Sequence, residues 1–139
     1  MKNLRYLTED EARSSLSAGR SLQQWISVRE LDGFRFIRWV SIERGEGGWL
    51  VFEKESLDDR RAGNIDITEF HNDLDPDYPE GVCHQCSTSE QALEKCLDLG
   101  CTASSFVYAN QIQDIYDAYT LAHGLPARSA AEYFTQAGP

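Results

Sequence analysis

Beyond Arg61 this sequence has almost no positive charge. Residues 1–61 hold 11 Lys or Arg and 11 Asp or Glu, whereas residues 62–139 hold only Lys95 and Arg128 against 12 acids. The net charge of −10 therefore resides entirely in the second part of the chain. A field of that sign repels nucleic-acid phosphates and anionic membrane surfaces, and it draws in basic partners. Long apolar runs are missing too. The longest are only a few residues, such as "WLVF" at Trp49–Phe52, and the N-terminal "MKNLRYLTEDEARSS" contains no apolar segment. Neither a secretion signal nor a membrane span is expected, which leaves a cytoplasmic location in which cysteines stay reduced. Catalytic signatures are likewise lacking. His71, His84 and His123 are scattered, with no H-E-x-x-H, Ser-His or phosphate-loop context. The glycines of "GEGG" (Gly45–Gly48) join two strand-like runs instead of opening a helix, so they aim no amides at a phosphate. No enzymatic activity, cofactor or metal is expected.

What the chain does contain is the material of one folded domain over residues 1–139, with 41% hydrophobic residues and 11% aromatics. Thr8 and Glu11 form a capping box, Leu7 is placed to staple against Ala12, and Gly19 fits the stop, which predicts a helix over about 9–18. "LQQWISVREL" and "FRFIRWVSIE" flank Asp32-Gly33, a strong hairpin signal because the primed turns need positive φ. "RGEGG" then turns into a third strand, "WLVFEKE". "IDITEF" (Ile65–Phe70), whose isoleucines alternate with polar residues, reads as a fourth. Thr88 and Gln91 make a second capping box ahead of the helical stripe Ala92, Leu93, Cys96 and Leu97, closed by Gly100. "SSFVYA" reads as a short strand. Asn110 caps a helix with the stripe Ile112, Ile115, Tyr116 and Tyr119, ended by Gly124 and Pro126, and Ser129 with Glu132 can start a final turn. The expected fold is α+β, in the order α-β-β-β-β-α-β-α. A four-stranded antiparallel meander plus one further strand packs helices on one face.

All four cysteines fall between Cys83 and Cys101, spaced C-x2-C-x9-C-x4-C. A structural zinc site needs four ligands converging as two tight pairs. Cys83 and Cys86 fit one pair, and a zinc-stabilised adaptor using Cys83, Cys86, Cys96 and Cys101 is one alternative reading of the chain, a small enzyme with an unrecognised site around His71 and the acidic loop being the other. Against zinc, Cys96 lies on the apolar stripe of its helix, where a cysteine is a small hydrophobe. The stretch reads as a loop leading into a core helix. "HNDLDPDYPE" opens like a calcium loop at Asp73, Asp75 and Asp77, but Tyr78 and His84 occupy the positions where glycine and glutamate are required. It does offer four carboxylates stiffened by Pro76 and Pro79. Rigid, pre-placed charge of this kind suits docking into a basic cleft.

In its small size, acidity, single α+β domain and lack of catalytic motif, the chain resembles the bacterial immunity proteins that neutralise polymorphic or contact-dependent toxins. The likeness runs from "GWLVFEKES" through "NIDITEF" and "STSEQALEKCLDLG" to "FVYANQIQDIYDAY". It implies a protein that binds a cognate toxin domain directly, through an acidic surface if the toxin is basic. The residues expected at the interface are Asp73, Asp75, Asp77, Tyr78 and Glu80 of the acidic loop, with Asp114 and Asp117 of the last long helix as the competing surface.

Overall fold

Thr8 opens the fold by accepting the Glu11 amide on its hydroxyl while the Glu11 carboxylate accepts the Thr8 amide, at 3.2 and 3.0 Å. The helix it starts, α1 (Glu9–Ser17), buries Ala12 and Leu16, with Leu7 stapled beside them. In the computed structural model, residues 4–72 and 81–137 are described, with side chains to residue 134. The strands β1 (Leu22–Leu31), β2 (Phe34–Gly45) and β3 (Gly48–Leu57) follow as antiparallel neighbours. Asp32 and Gly33 both take positive φ, 54° and 86°, between the paired Leu31 and Phe34, as a two-residue primed turn demands. A bulge between Trp25 and Ser27 breaks the β1–β2 register.

The fourth strand is not the expected one. "IDITEF" forms a single 3₁₀ turn, Ile67–Glu69. The Asp66 carboxylate accepts both the amide and the hydroxyl of Thr68, at 2.9 and 2.7 Å, a local bonding pattern that competes with a strand ladder. Ile67 is buried while Ile65 is 61% exposed, so the two isoleucines do not share a face as strand alternation would require. The fourth place in the meander goes to β4 (Val82–Cys86), within the stretch read as a loop. Its half-buried Val82, His84 and Cys86 alternate with exposed Cys83 and Gln85. Then come α2 (Ser89–Asp98), β5 (Val107–Tyr108), α3 (Gln111–His123) and α4 (Ala130–Ala137), and the sheet order is β4-β3-β2-β1-β5. The α+β class, the four-stranded antiparallel meander and the additional strand stand as expected.

The helices were expected on one face, but they divide between two. Successive residues of a strand point to opposite sides. Val40 and Ile42 of β2 join Val51 and Trp49 of β3 under α1 and α2. Ile37 and Trp39, one pleat over, pack with Ile112, Ile115 and Tyr116 of α3 and with Ile67 and Phe70. A third cluster sets Phe34, Phe36 and Leu57 against Ala130 and Tyr133. Covered on both sides, β2 is buried at eight of its twelve positions, as a central strand must be.

The cap on α3 also differs from expectation. Asn110 stands at φ 77° and its side chain caps nothing. The acceptor is Gln23 of β1, whose Oε1 takes the amides of Asn110 and Ile112 at 3.0 and 3.4 Å. A glutamine from the sheet thus satisfies two of the free donors at the helix start. No described helix is long and apolar enough to cross a membrane.

Candidate interaction surface

One face of α3 is buried and the opposite face is open. Ile112, Ile115 and Tyr116 point inward, whereas Asp117, Ala118, Leu121 and Ala122 are exposed and Asp114 is half-exposed. Beside this open face the chain between β3 and β4 runs through its two 3₁₀ turns, Arg60–Ala62 and Ile67–Glu69. Gln113 locks that segment to the helix. Its Oε1 accepts the Ile67 amide at 2.9 Å, and its Nε2 donates to the Ile65 carbonyl at 2.8 Å and to Asp117 at 3.0 Å. Between helix and segment lies a groove of about 420 Å³, lined by Arg60, Asp66, Asp114 and Asp117 among others. Arg60 donates to Asp117 at 2.9 Å. Asp66 and Asp114 have no cationic partner among the described residues, so the groove holds three carboxylates against one guanidinium.

The structure therefore brings Asp114 and Asp117 together and adds Asp66, which sequence reasoning assigned to a strand. The Asx turn at Asp66-Ile67-Thr68 was the available signal. The loop residues Asp73, Asp75, Asp77, Tyr78 and Glu80 lie outside the described residues. The stems on either side are described. Asn72 bridges Ser56 and accepts the Glu55 amide on its Oδ1 at 3.1 Å, and Val82 pairs with Glu53. Gly81 sits at φ 99° with no room for a side chain, since a Cβ there would come within 2.5 Å of the Glu53 carbonyl oxygen. Both stems thus meet β3 within a few residues of one another.

The cysteines resolve into two unrelated settings. Cys83 and Cys86 lie three positions apart in an extended strand, so they point to opposite faces and stand roughly 10 Å apart along it. No knuckle forms. Cys96 and Cys101 belong to the end of α2. The Cys101 amide donates to the Cys96 carbonyl at 3.0 Å and the Gly100 amide to that of Leu97 at 3.2 Å, with Gly100 at φ 105°. This is the Schellman helix stop, in which the residues flanking the loop make an apolar contact. The C-x4-C spacing is the spacing of that contact. The Cys101 sulfur, as hydrogen-bond partner, and burial push the Cys96 thiol far above its ordinary range. Among the described residues no group of three or more His, Cys, Asp or Glu is arranged to hold a metal ion.

The histidines have separate partners. His84 lies 3.4 Å from Glu53, which also accepts from Arg38 at 2.8 Å, while the His71 ring meets Phe134 and the His123 ring meets Tyr119. A further polar centre lies in the interior. Arg35 is 2% exposed and reaches Glu30, the Gly124 carbonyl and, at 3.5 Å, Asp58. It ties the end of α3 to β2. No protein-family model, curated protein or solved structure matches the chain.

Proposed function

We propose that this chain is an immunity-type protein, which binds a cognate bacterial toxin domain of basic character and neutralises it by occupancy. It carries out no chemistry of its own. The observation that supports this reading is the groove between α3 and the segment beside it, where Asp66, Asp114 and Asp117 outnumber Arg60. Rigid elements hold these carboxylates, so little freedom is lost when a cationic surface docks, and the long-range field of the acidic second part speeds encounter. The acidic loop, Asp73 to Glu80, lies within the same surplus of charge and serves as a second steering element.

The test is co-expression with the C-terminal domain of the protein encoded immediately upstream of this chain's gene. The chain protects the host from that domain's toxicity and the two elute as one complex. Growth arrest despite full expression of the chain, with no complex on gel filtration, would refute the reading. Replacing Asp73, Asp75, Asp77 and Glu80 by their amides, against Asp114→Asn with Asp117→Asn, separates the loop from the helix. The set that flattens the salt dependence of association carries the steering.

A further inference from the structure

We propose that the outer face of α3 grips its partner through an apolar side chain seated on Leu121, while the carboxylates beside it steer a cationic rim into place. This rests on the reading above and specifies how that binding is divided.

The face follows from helical geometry. At 3.6 residues per turn, positions 114, 117, 118, 121 and 122 sweep a single side, opposite the buried Ile112, Ile115 and Tyr116. Along it the chemistry changes from carboxylates in the first two turns to Ala118, Leu121 and Ala122, with Leu125 just past the end. Leu121 is 82% exposed, the most exposed large apolar residue among those described, and Leu125 and Ile65 are exposed as well. Ile65 belongs to the same surface, since Gln113 bonds its carbonyl and the Asp117 carboxylate together. Small alanines around Leu121 leave room for an incoming side chain to lie flat against the helix.

Charge selects the occupant. A second copy of the chain would oppose one set of carboxylates with another, and nucleic acid or an anionic membrane would be repelled. A protein segment with an apolar residue between Lys or Arg satisfies both ends of the face. In such interfaces the buried apolar centre holds the complex and the rim charges govern approach.

The two contributions separate kinetically. The probe is the immobilised C-terminal domain of the upstream-encoded protein, studied by surface plasmon resonance from 50 to 500 mM salt. Leu121→Ser raises the dissociation rate by roughly tenfold or more and leaves the association rate within about twofold, because affinity changes at an anchor fall mainly on dissociation. Ala118→Lys, which puts a cation under the expected rim, abolishes binding. Asp114→Asn with Asp117→Asn slows association severalfold and flattens its salt dependence. Leu97→Ser, at an exposed position of α2 across the sheet, changes neither rate. Leu121 makes no buried contact, so its variants keep the wild-type melting temperature, and that measurement accompanies each. If wild type binds but Leu121→Ser and Ala118→Lys dissociate at its rate, or Leu97→Ser loosens the complex equally, this inference is wrong while the immunity reading survives. If wild type does not bind, both fall.

Discussion

Tyr116 donates its phenolic hydrogen to Asp58 at 2.6 Å, with both side chains shut away from solvent. The contact joins α3 to the end of β3 in the same polar centre that holds Arg35. Burial and the neighbouring Asp58 carboxylate raise the pKa of the phenol well above its ordinary value. A group whose native pKa is raised stabilises the fold fully below its unfolded pKa, ~10 for tyrosine, and loses that contribution as pH climbs from there toward the native value.

The alkaline limb of stability is therefore expected to depend on Tyr116. Urea midpoints fall between pH 9 and pH 11.5 in the wild type, and Tyr116→Phe shows a shallower fall over the same interval. At neutral pH the variant is less stable by about 1.5–3 kcal/mol, the range for losing a hydrogen bond to a charged group. Equal slopes for the two proteins would show that Tyr116 ionises freely.

Asp58→Ala is expected to be far more damaging than a surface acid change. It strips Arg35 of its buried counter-charge, and breaking a buried pair costs about 3–5 kcal/mol because the remaining charge stays desolvated. Adding Arg35→Met to Asp58→Ala recovers part of that loss in denaturant melts. A double variant no more stable than the single one would deny the coupling.

The thiols are expected to differ in reactivity. In the native protein Cys83, exposed on β4, reacts promptly with a thiol reagent, while Cys96 and Cys101 wait for unfolding. Cys96→Ser places a hydroxyl in the core and destabilises by ~1–3 kcal/mol, with Cys96→Ala milder. Purified protein holds well under one equivalent of zinc, and chelator leaves its melting temperature unchanged. Stoichiometric zinc would restore the adaptor reading.

Gly48→Ala tests the close approach of β4 to β3. A Cβ at this position would lie 2.4 Å from the backbone carbonyl oxygen of Cys86. The strands must part, at a cost of the order of 1–3 kcal/mol for forced overpacking. Gly47→Ala, one residue earlier, meets no atom but stands at φ 77°, so its smaller penalty is conformational alone. A Gly48 variant as stable as wild type would place β4 elsewhere.

Much of the candidate surface was legible because its signals are local. Asp114 and Asp117 could be set beside an apolar stripe by counting along one helix. Asp66 and Leu121 were missed for different reasons. Asp66 lay in a stretch whose alternation imitates a strand, and Leu121 is a leucine, a residue whose exposure no pattern of neighbours reveals. Likewise the in-and-out alternation of "VCHQC" exists only in the fold, because Val82 and Cys83 are both apolar and His84 and Gln85 both polar, so the residue types carry no period of two.

The sequence by itself determined the elements that a few adjacent residues can specify. Thr8 with Glu11 starts α1, Asp32-Gly33 folds the first hairpin, and Ala92, Leu93 and Cys96 stripe α2, because each is satisfied by bonds or periodicity within one or two turns of chain. Only the tertiary structure decided which segment completes the meander, that helices cover both faces of the sheet, and that Gln23 caps a helix 87 positions later in the chain. It alone also joined Tyr116 to Asp58 across 58 positions. Those outcomes depend on buried polar groups finding partners and apolar faces finding cover, and the cost of leaving either unmet appears only once distant parts of the chain are packed together.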